Sequence, residues 1–155
     1  MNIKLFAILI LSTSFTFLSF ANPEWNERTR KMYKELEKAP DPALKGKAVA
    51  AAKAYFAAIA ACNFKLAKKY AADDILKETI TMEKDFANYS KEEKKDFFQT
   101  MKSLQVGKEY WLPDIKEGAF VAVTYKTTYG EHTRYFGVKN FKGTWKVVGY
   151  VKINI

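Results

Sequence analysis

The chain has 155 residues, 48% of them hydrophobic and 15% aromatic, with a net charge of +9 and a single cysteine. One cysteine rules out an internal disulfide, and one cysteine with one histidine rules out a zinc cluster of the usual kind. The sequence has no Gly-rich phosphate loop, no G-x-S-x-G elbow and no H-E-x-x-H helix, so the motifs of P-loop nucleotide binding, serine hydrolysis and zinc proteolysis are missing.

The first 21 residues read as a signal peptide. Met1 to Lys4 is a short basic region, and Leu5 to Phe20 is an apolar stretch diluted by Ser12, Thr13, Ser14, Thr16 and Ser19. Ser19-Phe20-Ala21 then puts small residues where a signal peptidase cuts. The stretch is too short and too rich in hydroxyls for a membrane span, and no second candidate follows, so no transmembrane segment is expected after cleavage. The expectation is export to the periplasm or beyond, with cleavage near Ala21. Losing Lys4 with this leader lowers the net charge from +9 to +8. That excess allows attraction to anionic surfaces, but the lysines are spread along the chain, as on an ordinary solvated surface. Nucleic acid is an improbable partner for an exported protein.

Residues 22–40 read as an exposed amphipathic helix followed by a linker. Trp25, Thr29, Met32, Tyr33 and Leu36 make one narrow stripe, and Ala39-Pro40-Asp41-Pro42 stops the helix. A single domain is expected over 41–155. Its first helix starts with Asp41 as cap and Pro42 in the first turn. Leu44, Ala48, Ala52, Tyr55, Ile59 and Cys62 form the stripe of that helix, whose scarcity of charge after Ala48 predicts burial. Asn63 breaks it, and Phe64 to Ala72 makes a shorter helix. Residues 75–88 are ambiguous, because Thr79, Ile80 and Thr81 weaken helical propensity. Ser90-Lys91-Glu92-Glu93 is a capping box that opens a helix to about Ser103, with Phe97, Phe98, Met101 and Leu104 on its buried side.

After Gln105 the hydrophobic period changes to two. Val106 to Leu112 is a first strand, closed by Pro113-Asp114. Ala119, Val121, Val123, Tyr125 and Thr127 line one face of a second strand, and Gly130-Glu131 is the turn into His132 to Lys139. Asn140 to Gly143 makes another turn. Thr144 to Ile153 is the last strand, with Trp145, Val147, Val151 and Ile153 on one face. Helices followed by an antiparallel meander imply an α+β fold: N-terminal helices packed on one face of a C-terminal sheet of about four strands.

The C-terminal half carries a resemblance. Leu112-Pro113, then Glu117-Gly118-Ala119-Phe120-Val121-Ala122-Val123, then Gly143-Thr144-Trp145-Lys146-Val147-Val148-Gly149-Tyr150 resembles a bacterial exported family known as domain of unknown function 4019. Ala50 to Phe56 resembles that family's alanine-rich opening, so the likeness runs from about Lys47 to Ile155. The ending is also similar to that of nuclear-transport-factor-two-like cone folds. The resemblance implies export and an α+β fold, and it implies no reaction. Tyr55 and Ala60 stand where the family pattern has a tryptophan and an acidic residue.

Tyr55, Trp111, Tyr125, Arg134 and Trp145 are the candidates for lining an apolar pocket. Filling of an ordinary aromatic core is the competing explanation for all five. No catalytic set, cofactor motif or metal site is evident. The leading expectation is a non-enzymatic domain that binds a protein partner or a small apolar ligand. The alternative is a ketosteroid-isomerase-like enzyme or carrier, with Tyr55 as donor and Asp73 or His132 as base. A scarcity of acids between Ala119 and Ile155, where Glu131 stands alone, counts against it. His132 beside the turn is expected to face solvent, and Cys62 to be a buried, inert thiol. Arg134 with Lys126, Lys139, Lys142, Lys146 and Lys152 could form a basic sheet face for an anionic surface. The Asn88-Tyr89-Ser90 sequon competes with the capping role of Ser90.

Overall fold

A computed structural model describes residues 31, 34–111 and 117–151. The expected signal peptide, the Leu112-Pro113 strand end, Lys152 and Ile153 lie outside the described residues, as does most of the expected 22–39 helix. Of that helix, residues 31 and 34–36 are helical.

The fold is α+β, with helices first and an antiparallel sheet after them. A 3-10 turn at Pro42–Leu44 leads to four helices: α1 (Lys47–Ala60), α2 (Phe64–Lys69), α3 (Asp73–Ala87) and α4 (Lys91–Ser103). The strands β1 (Gln105–Tyr110), β2 (Gly118–Thr127), β3 (Gly130–Phe141) and β4 (Thr144–Val151) follow, each hydrogen-bonded to the next in chain order.

Asp41 does cap a helical turn, with Oδ1 accepting from the Ala43 amide at 2.8 Å, but that turn is not the start of α1. Gly46, at φ +81°, separates the two. A left-handed residue cannot continue a helix and is cheapest as glycine. The alanine stripe of α1 lets its backbone lie close against the sheet, and the helix touches all four strands. Ala48 and Ala52 are fully buried against the equally buried Val121, Val123, Val138 and Val147. Helix α1 ends in a Schellman motif: the Asn63 amide reaches the Ala58 carbonyl at 2.8 Å, and Cys62 takes φ +52°. Cys62 is therefore half-buried at a helix end rather than inside the core.

Residues 73–87 are helical throughout despite their threonines. Thr79 Oγ1 donates to the Ile75 carbonyl at 2.6 Å and Thr81 Oγ1 to the Lys77 carbonyl at 3.1 Å, so both hydroxyls are satisfied within the helix. Ile75, Thr79 and Met82 form the buried stripe. The capping box at Ser90 and Glu93 is complete in both directions. Phe98 is an exception on α4. It is 41% exposed, and Phe97 and Thr100 are the buried pair.

The first hairpin reverses at Thr128-Tyr129, two positions earlier than expected, and Gly130 already pairs with Thr127. The second turns through Lys142 and Gly143, both at positive φ, the twist that suits right-handed strands. In β4 the register shifts beside Gly137, with Val148 as the extra residue. The shift places Tyr150 opposite Phe136, ring to ring at 6.2 Å, and Val151 opposite Tyr135. The simple alternation expected through Val147 and Val151 is thus broken. The outer edge of β4 is covered, because the Val147 amide donates to Tyr70 and its carbonyl accepts from Ala72.

Candidate functional site

Helix α1 crosses the sheet, while α3 and α4 pack chiefly on β4 and β2. A cavity of about 40 Å³ remains among these elements. Its walls are Tyr55, Phe56 and Ile59 from α1, Ile75 and Met82 from α3, and Thr100, Met101 and Leu104 from the end of α4. The sheet contributes Val123 and Tyr125 from β2 and Arg134 and Phe136 from β3. Val123 pairs with Arg134 and Val121 with Phe136 across the two strands, which fixes Arg134 on the helix-facing side.

Two polar groups of the site are satisfied internally. Thr79 spends its only hydroxyl proton on Ile75, so the Tyr55 hydroxyl, 3.0 Å away, must donate to Thr79. Burial pushes the Tyr55 phenol up to about 12, partly opposed by the Thr79 bond and reinforced by the charge of Glu78. Tyr55 therefore offers the cavity an acceptor oxygen and no free proton.

Among the described residues five buried side-chain polar atoms lack a hydrogen-bond partner: Tyr125 OH and Arg134 Nη1, from the cavity lining, and Glu78 Oε2, Glu109 Oε2 and Trp111 Nε1, from residues outside that lining. Burial raises the Tyr125 phenol above its usual range, and the neighbouring Arg134 pulls it back, although neither atom meets the other in good hydrogen-bond geometry. Burial also raises the Glu78 carboxyl. Asp74 adds to that rise, and Arg134 opposes it. Arg134 lies over the Tyr150 ring, with its guanidinium carbon 5.4 Å from the ring centre. Glu78 and Arg134 thus act on each other electrostatically without forming an ion pair.

Tyr55, Tyr125 and Arg134 come together at this cavity, whereas Trp111 and Trp145 do not line it. Those two rings pack edge to face at 5.9 Å elsewhere in the core. Glu109 on β1 is only 8% exposed, and its Oε1 accepts from the Gly46 amide at 2.6 Å. Asp73 is exposed, and neither it nor Asp85 lines the cavity. His132 is half-buried rather than solvent-facing. Its ring stacks on Tyr125 at 5.7 Å, and Nε2 lies 3.1 Å from Thr127 Oγ1. Arg134 is separated from the supposed basic face, since Lys139 and its cross-strand neighbour Lys146 belong to the opposite side of the sheet. Lys126 is engaged with Glu131 at 3.6 Å.

Met82, Met101 and Leu104 line the cavity, and sequence reasoning did not place them there. For Met82 the usable signal was its place on one stripe with Ile75 and Thr79, but only once that segment is known to be helical. Among the described residues no group of three or more His, Cys, Asp or Glu is placed to hold a metal, and no helix is long and apolar enough to cross a membrane. No protein-family model, curated protein or solved structure matches the chain.

Proposed function

We propose that this chain is an exported small-molecule-binding domain whose cavity takes a small ligand with an apolar body. The observation that carries the reading is an apolar cavity whose lining includes two residues with orphaned buried polar atoms, Tyr125 OH and Arg134 Nη1. Buried polar groups in native proteins are normally paired, and two on one cavity lining without partners mark a place where another molecule completes the bonding. Export rests on the leader Met1 to Ala21 and on the resemblance of the C-terminal half to an exported family.

The size of the cavity sets the scale of the ligand. A volume of about 40 Å³ holds roughly three waters, at 10–15 Å³ each. Anything longer must turn Met82, Met101 or Leu104 aside. Methionine is unbranched and repacks at little cost, so those side chains form the adjustable wall. A ketosteroid-isomerase-like reaction draws less support, because Tyr55 has its proton committed to Thr79.

The test is native mass spectrometry of the mature protein purified from its host, beside a Leu104→Trp variant that fills the cavity. A small molecule retained by the wild type and lost from the folded variant supports the reading. An empty wild type that also fails to bind short-chain alcohols or acids overturns it. Sequencing the mature N-terminus from an extracytoplasmic fraction checks the cleavage near Ala21.

A further inference from the structure

Arg134 is the one formally charged residue in the cavity lining, and the rest are apolar or hydroxyl-bearing. Among the described residues no carboxylate lies within ion-pairing distance of its guanidinium. The charge of Glu78 is felt at Arg134 from outside the lining, which lessens the attraction for an anion there without supplying a partner. Nη1 of Arg134 and the hydroxyl of Tyr125, a residue only 5% exposed, are both buried and unpartnered. Strand register brings the two residues together. Val123 pairs with Arg134 and Tyr125 with His132, so Tyr125 and Arg134 are diagonal neighbours on the helix-facing side of β2 and β3. Stacking on His132 at 5.7 Å holds the Tyr125 ring, and Arg134 lies over the Tyr150 ring at 5.4 Å.

Arg134 Nη1 can only donate, and the Tyr125 hydroxyl has a proton to give. Tyr55 does not compete for an acceptor, because its proton goes to Thr79. The site therefore asks for two acceptor positions and one negative charge. An ammonium head supplies neither and is repelled by Arg134. A hydroxyl head offers one oxygen and leaves the charge unmatched. A carboxylate offers an oxygen to each donor and forms the charge-assisted bond that a guanidinium makes best. A charge set against apolar walls without a partner is costly, and an anion relieves that cost.

We propose that the cavity selects a short-chain carboxylate whose two oxygens accept from Arg134 Nη1 and Tyr125 OH, with its alkyl chain against Phe56, Met82 and Leu104. This rests on the small-ligand reading above and names the ligand class.

The experiment compares hexanoate, 1-hexanol and hexylammonium on the mature protein at neutral pH, by calorimetry and thermal upshift. Hexanoate is expected to bind at least about tenfold more tightly than hexanol, with hexylammonium weakest. Arg134→Gln should bring hexanoate to within about threefold of hexanol, and Tyr125→Phe should close part of that gap. The melting temperature of each variant verifies its fold. If Arg134→Gln does not fold, the ranking on the wild type together with Tyr125→Phe decides. Leu104→Trp should abolish hexanoate binding. Hexanoate bound as tightly by that variant as by the wild type would mean attraction to the basic surface, and would overturn the assignment. Hexanol or hexylammonium equal to or tighter than hexanoate, or a gap unchanged in both Arg134→Gln and Tyr125→Phe, would overturn the head group and leave the cavity reading standing. Failure of all three probes to bind the wild type would sink both.

Discussion

Replacing Thr79 with valine tests the polar floor of the cavity. The substitution keeps the shape and changes helical propensity little, so the hydroxyl is the main thing lost. The Tyr55 hydroxyl, on a residue only 4% exposed, then has no acceptor, whereas the Ile75 carbonyl lies within α3 and keeps its place in the helical ladder. An unmet buried hydroxyl costs about 1–3 kcal/mol. Tyr55→Phe is milder, about 0.5–1.5 kcal/mol, because Thr79 still donates to Ile75. The double variant removes both partners and should cost little more than Tyr55→Phe alone, since no orphan remains. The expected signature is a coupling of about 1–2 kcal/mol in favour of the double variant. Urea unfolding followed by circular dichroism measures it, and Thr79→Val alone should lower the melting temperature by about 4–10 °C in a domain of this size. The reasoning fails if Thr79→Val lies within about 0.3 kcal/mol of wild type. It fails equally if the two single costs simply add.

Other consequences follow from the same geometry. The Tyr55 phenol ionises at about 12 in the folded chain against 10.0 ordinarily, so its contribution is present below pH 10 and lost as pH rises through 12. At most ~2.7 kcal/mol disappears across that window, and alkaline unfolding of Tyr55→Phe should show a shallower pH dependence. Glu109→Ala frees the Gly46 amide and should cost about 1–3 kcal/mol, with limited proteolysis appearing first near residues 41–46; Glu109→Gln, which keeps an acceptor, should cost less. Ser90→Ala removes the cap of α4 and should cost about 1 kcal/mol by urea titration. Gly143→Ala, at φ +90°, should cost about 1 kcal/mol and slow the closing of the second hairpin without touching the cavity.

Local chemistry made much of the fold legible. The Ser90-to-Glu93 capping box, the period-two alternation of β2 and the glycine at 143 each act over a few residues, so their outcomes follow from nearest neighbours. The 73–87 helix was ambiguous for a related reason. Its threonines are poor helix formers until burial and back-bonding to the preceding turn are counted, and burial belongs to the tertiary structure.

The candidate site divides in the same way. The sequence alone showed that aromatic residues are plentiful, acids scarce in the strands and metal ligands few, and these are statements about composition. Which aromatics meet was decided by packing. The pairing of β2 with β3 sends Tyr125 and Arg134 inward together, while Trp111 just past β1 and Trp145 on β4 pack on each other away from the cavity lining. The extra residue at Val148 turns Tyr150 toward Phe136, and no alternation rule reveals that. Met82 meets Arg134 at the cavity only because α3 folds back over the sheet, 52 positions away along the chain. Periodicity tells which face of an element is buried, but it carries no information about which buried faces are brought together. That is set by loop lengths, by register and by how closely an alanine-rich helix can approach a valine-lined sheet.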